Sequence, residues 1–165
     1  MMAIQQPLLK LSRFCGEELH PVINTTWSLY YDEDLDMNNL CIHLQADEGT
    51  ILNEDTKYLN ATPNWELNYL APNLNKDDLK VGFNVEIPEG YNEDHGGWIT
   101  NFYYCEHEGT DNNTIEILES DGDKLLIRLT GETIDVNFYD GSKPTTKLFV
   151  ETWFTYNEST MRSME

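Results

Sequence analysis

The stretch Thr114-Ile-Glu-Ile-Leu-Glu-Ser-Asp-Gly-Asp-Lys-Leu-Leu-Ile-Arg-Leu-Thr-Gly131, followed by Ile134-Asp-Val-Asn-Phe-Tyr139 and Thr146-Lys-Leu-Phe-Val-Glu-Thr-Trp-Phe154, decides the fold. It holds four short apolar or alternating runs. Ser120-Asp-Gly-Asp123 and Asp140-Gly-Ser-Lys-Pro144 separate them with residues that accept turn dihedrals. Gly131 separates the second run from the third. Short strands joined by short turns predict a four-strand antiparallel meander.

The pattern continues upstream. Residues 22–31 are rich in β-branched and aromatic side chains, with Trp27, Leu29 and Tyr31 on one face of a predicted strand. Leu40, Ile42 and Leu44 alternate in the next strand, after the acidic connection 32–39. Residues 65–69 repeat that alternation, and residues 98–105 form another strand. The cleanest pattern is 79–87, where five apolar residues alternate with Lys80, Gly82, Asn84 and Glu86 before Pro88 and Gly90 end it. Residues 8–15 fit either a strand or a helical turn. No segment sustains a helical stripe. The expected fold is a mainly β single domain over residues 1–165. It is an antiparallel sandwich or flattened barrel of about 8–10 strands that ends in the four-strand meander. Asn101-Phe-Tyr-Tyr104 and Asn137-Phe-Tyr-Asp140 hint at internal repetition.

At 165 residues the chain can bury a real core, and its 12% aromatic content argues against disorder. The first ten residues lack a basic segment followed by an apolar one, so no signal peptide is expected. Cys15, Cys41 and Cys105 show no paired spacing and read as free thiols in a reducing cytoplasm.

Charge is the largest anomaly. The net charge is −20, and residues 32–123 carry 22 acids against only three bases, Lys57, Lys76 and Lys80. Such a field repels nucleic acid and anionic membranes and favours a basic protein partner. Size, β content and acidity resemble those of bacterial immunity proteins that neutralise basic toxins, a resemblance of class and size. The expected function is therefore an acidic protein-binding inhibitor without catalysis, an immunity protein for a basic bacterial toxin. The expected contacts are Asp32, Glu33, Asp34, Asp36, Asp47 and Glu48, with Tyr30 and Tyr31 as aromatic anchors. The alternative is a β-sandwich module that binds a small ligand, sugar or calcium.

Other patterns are weaker. Asp32, Asp34, Asp36 and Asn38 alternate like calcium ligands, but Met37 and His43 stand where that loop needs Gly and Glu. His95, Cys105 and His107 could be metal ligands, since Cys105 and His107 face the same side if the strand continues, although no fourth ligand is evident. Trp27, Trp65 and Trp98 could stack a sugar, yet strand tryptophans more often fill a core. No nucleophile motif is present, and no cofactor is expected. Crowded carboxylates also predict raised folded-state pKa values, and so a protein that melts higher near pH 5 than near pH 8 at low salt.

Overall fold

The computed structural model describes residues 6–94 and 96–158. Twelve strands follow in chain order: β1 (Leu8–Arg13), β2 (Gly16–Asp32), β3 (Met37–Ala46), β4 (Asn64–Ala71), β5 (Asn84–Ile87), β6 (Tyr91–Asn92), β7 (Gly97–Trp98), β8 (Thr100–Tyr104), β9 (Glu106–Glu108), β10 (Asp111–Asp121), β11 (Lys124–Thr133) and β12 (Thr146–Tyr156). One short 3-10 helix, Lys76–Asp78, is capped by Asn75. Ten strands make one sheet in the order β5-β10-β11-β12-β1-β2-β3-β4-β8-β9, while β6 and β7 form a separate small hairpin. Pairing is antiparallel apart from a two-residue parallel contact between the end of β12 and Thr26 and Trp27 of β2. The mainly β, antiparallel expectation holds. The architecture is one curled sheet that does not close into a barrel.

Alternation builds the core. Leu9 and Leu11 of β1, Leu40, Ile42 and Leu44 of β3, Ile127 and Leu129 of β11 and Val150 of β12 are all buried. Each such side chain contributes about 1.5–3 kcal/mol by leaving water. Curling brings distant strands together across this interior. Gly131 of β11 faces Trp65 of β4, and a Cβ there would lie 2.9 Å from the indole and 2.5 Å from Asn113 Oδ1. Glycine is thus the residue that admits Trp65. Tyr69 meets Phe83 edge-on at 6.1 Å, which brings β4 close to the segment leading into β5.

Three sequence expectations are corrected. The C-terminal meander has three strands, because 134–139 forms turns instead of a fourth. Asp135 is buried there, and it accepts from the Asn137 amide at 3.1 Å while Phe138 N–H donates to its carbonyl. That local bonding replaces a ladder. The same turn ends the proposed repeat, since Asn101-Phe-Tyr-Tyr104 lies in β8. The strand over 79–87 shortens to β5, because Gly82 adopts φ +98° and Phe83 N–H closes a turn onto Lys80. Residues 8–13 resolve as a strand, β1.

Candidate functional site

Two polar regions stand out, and they differ in access. The first closes one end of the interior. Inward alternation carries Leu9, Leu11 and then Arg13 to the end of β1, and it places Glu18 and His20 inward at the start of β2. Arg13 Nε and Nη2 donate to Asp135 at 2.9 Å each. Nη1 and Nη2 donate to Asp55 at 2.7 and 2.8 Å, and Nη1 also reaches Glu18 at 3.1 Å. These five bonds match the five N–H groups of a guanidinium. Glu18 further accepts from Tyr104 Oη at 2.6 Å, Thr56 Oγ1 at 2.7 Å and Asn53 Nδ2 at 3.1 Å, with His20 Nε2 at 3.4 Å.

Burial alone would lower the Arg13 pKa, but the bonds to Asp55, Asp135 and Glu18 outweigh it and hold it above its usual value. Burial likewise opposes the Glu18 charge, yet His20, Tyr104, Thr56 and Asn53 hold its carboxyl down at about 2. Asp55 is lowered chiefly by its bonds from Arg13. Asp135 is lowered by Arg13, Asn137 and Thr146 against the pull of burial. The half-buried Glu132 and the exposed Asp140 are also lowered, by Lys147 and Ser142 respectively. Of these five only Asp55 lies in the acidic stretch 32–123, and there the expected upward shift is reversed. A direct donor at hydrogen-bond distance outweighs diffuse repulsion from charges spread over a solvated surface. The Arg13 and Glu18 side chains are sealed from solvent and every Arg13 donor is engaged, so these two groups hold the fold together, while Asp55 at the rim stays partly accessible.

The second region is open. A groove of about 450 Å³ lies between the end of β4 and the segment that runs from β5 through the β6–β7 hairpin. Tyr69 and Leu70 form one wall, and Glu86, Glu89, Glu93 and Asp94 line the other, with Tyr91 alongside. No Lys or Arg among the described residues lines it. Local sequence hid this site. Its walls come from β4 and from residues 86–94, and only the sheet topology joins them.

The residues singled out from sequence divide into two groups. Tyr30, Tyr31, Asp32, Glu33, Asp34 and Asp36 gather at the β2–β3 hairpin tip. Its connection is shorter than expected, since Asp32 still belongs to β2 and Met37 already to β3. Asp32 Oδ1 accepts from the amides of Asp34 and Leu35 at 3.0 and 3.2 Å, which builds the turn. Tyr31 Oη donates to Asp36. Asn39 Nδ2 donates to the half-buried Tyr30 Oη at 2.8 Å, and burial pushes the Tyr30 phenol up to about 12. Asp47 and Glu48 lie past the opposite end of β3, about 30 Å away at 3.3 Å per residue. They do not share a patch with the tip. The groove does adjoin it, because Leu70 on the groove wall pairs with Asn39, three residues from Asp36.

The remaining patterns come apart. Two of the alternating acids, Asp32 and Asp36, are engaged by the turn and by Tyr31, and no metal-binding group of three or more His, Cys, Asp or Glu occurs among the described residues. Cys105 takes φ +63° at the β8–β9 turn, and β9 folds back so that His107 pairs with Tyr103. The strand therefore does not run on from Cys105 to His107, and His95 lies outside the described residues. Trp27 and Trp65 are core residues, whereas Trp98 is 62% exposed and sits over Gly109. Cys15, Cys41 and Cys105 are free, and no helix among the described residues is long and apolar enough to cross a membrane. Comparison with protein-family models, curated proteins and solved structures finds no match to this chain.

Proposed function

We propose that the protein is a cytoplasmic, non-catalytic inhibitor that binds a basic protein, in the manner of an immunity protein paired with a bacterial toxin. One observation carries the reading. The chain has ten Lys and Arg residues. Six of them, Lys10, Arg13, Lys57, Lys76, Arg128 and Lys147, already pair with its own carboxylates. The hairpin tip and the groove beside it meanwhile hold Asp32, Glu33, Asp34, Asp36, Glu86, Glu89, Glu93 and Asp94, none of which forms an ion pair among the described residues, where the pairs are made by other carboxylates. A surface whose excess charge has no internal counterpart steers a cationic partner towards it and loses that pull in salt. Tyr31 and Tyr91, 54% and 44% exposed, flank the acids as aromatic anchors. The free thiols fit a reducing compartment.

The test is affinity capture on the immobilised protein, with extract of the source cells applied at about 50 mM and about 500 mM salt, where screening differs severalfold. The expected result is one basic protein, held in a stoichiometric complex at low salt and released at high salt, whose activity or toxicity the protein suppresses. A partner that is acidic, or a complex indifferent to salt, would overturn the reading.

A further inference from the structure

The groove is bounded by strand edges as well as by carboxylates. Ladder bonds alternate along an antiparallel strand, so every second residue directs its N–H and C=O to one neighbour only. Ile117 N–H donates to Phe83 C=O. The register Ile115↔Val85 and Asn113↔Ile87 therefore turns Val85 and Ile87 towards β10, and Asn84 and Glu86 away from it. Ala46 N–H donates to Pro63 C=O, which sets Trp65, Leu67 and Tyr69 against β3, while Asn68 N–H turns outward to Ile99 C=O. Leu70 has the outward phase of Asn68 but lies beyond the β8 pairing, which ends at Leu67↔Thr100. The outward groups of Leu70, Asn84 and Glu86 have no backbone partner among the described residues.

Unpaired strand edges invite another strand, and natural proteins usually cover or blunt them. The other outer strand of the sheet is blunted, because β9 is three residues long and reads Glu106-His-Glu108. The β5 edge carries Glu86 and has Glu89, Glu93 and Asp94 beside it, which repels an acidic segment and attracts a basic one. A second copy of this chain would bring like charge to like charge.

We infer that the groove takes an extended Lys- or Arg-bearing segment of the partner, which adds as a strand to the open edge of β5 at Asn84 and Glu86. This inference rests on the basic-partner reading and specifies its recognition mode, in which backbone bonds supply affinity and alternate side chains supply selectivity. Arg or Lys at every second position of the segment meets the groove carboxylates, and the intervening residues face Tyr69 and Leu70.

The test uses a labelled peptide of four Lys-Val repeats, its Glu-Val counterpart, and the Lys-Val peptide N-methylated at alternate residues on either edge. The Lys-Val peptide is expected to bind and to slow hydrogen exchange at the Asn84 and Glu86 amides, while the Glu-Val peptide does not bind. N-methylation on one edge should weaken binding at least about fivefold, because two backbone hydrogen bonds are lost. Glu86→Pro removes one outward N–H that the fold does not use together with the rim charge, and it should weaken binding more than loss of the charge alone. Glu86→Gln removes only a rim charge and should cost less than about fivefold. Binding that ignores N-methylation and Glu86→Pro would overturn strand addition while leaving the basic-partner reading to the capture experiment. A self-associated protein whose dimer is lost in Glu86→Pro would overturn it in favour of a second copy, and absence of Lys-Val binding at low salt would overturn it outright.

Discussion

Replacing Arg13 with Met tests the buried end cluster most severely. The change keeps a long, flexible apolar stem and removes the guanidinium that bridges Glu18, Asp55 and Asp135. The Glu18 and Asp135 side chains are fully buried, so the variant must either bury charge unpaired or protonate them. Breaking one buried pair costs about 3–5 kcal/mol, and the shared geometry here places the expected loss at or above about 4 kcal/mol at pH 7. A domain of this size loses about 2–4 °C per kcal/mol, so the melting temperature should fall by about 8–16 °C. The loss should shrink on acidification. In the native protein these carboxyls have depressed folded pKa values, so their stabilisation fades as pH drops below about 4.5. Without Arg13 the Asp55 and Asp135 carboxyls lose the partner that lowers them, their folded pKa values rise, and lowering the pH then stabilises the variant. Melting curves at pH 7 and pH 4 read both effects. Adding Glu18→Gln and Asp135→Asn to Arg13→Met should recover part of the loss, because the charge left behind is removed as well. A drop of less than about 3 °C at pH 7, or a gap that widens at pH 4, would refute the assignment of Arg13 as the structural counter-ion.

Three further outcomes follow from the same geometry. Tyr104→Phe removes the 2.6 Å bond to buried Glu18 and should cost about 1.5–3 kcal/mol in urea unfolding followed by tryptophan fluorescence. Gly131→Ala places a methyl against Trp65 and Asn113 and should cost about 1–3 kcal/mol; an unchanged midpoint would show that the two strands have slack there. In the wild-type protein, Glu18, held at about 2 against an unfolded 4.5, contributes stability that is complete above pH 4.5 and lost as pH falls towards 2. Acid unfolding should therefore begin below pH 4.5, and a protein that gains stability between pH 4.5 and pH 2 would contradict the lowered pKa.

Much of the sheet was legible because alternation is a local signal. β11 and β12 bury every second residue over most of their length, while β3 and β4 also bury residues between the inward ones, Asn39 and Cys41 in β3 and Asn68 in β4. The same rule applied to β1 would have placed Arg13 inward after Leu9 and Leu11, a readable sign of a buried charge cluster. The failures arose where side chains redirect the backbone. Alternation over 134–139 gave no hint that Asp135 would turn inward to a guanidinium 122 residues away. Alternation over 79–83 was overridden by turns at Lys80 and Gly82. The hairpin tip was readable as an acidic run. Its separation from Asp47 and Glu48 required the length of β3, and the groove required the neighbours of β4 and β5, which are set by topology.

The central claim is that the acids around the hairpin tip and groove steer a basic partner. Its most direct test is the association rate with the captured partner, measured by stopped flow across a salt series. Three forms are compared: the wild-type protein, a variant with Glu33→Gln, Asp34→Asn, Glu89→Gln and Glu93→Gln, and a variant with Asp47→Asn and Glu48→Gln. Asp32 and Asp36 are kept because they form the turn and hold Tyr31. The wild-type rate should fall at least about tenfold between low and high salt. The first variant should start slow and respond weakly to salt, and the second should match wild type. Equal rates for all three forms at low salt, or the larger loss in the Asp47 and Glu48 variant, would contradict the claim.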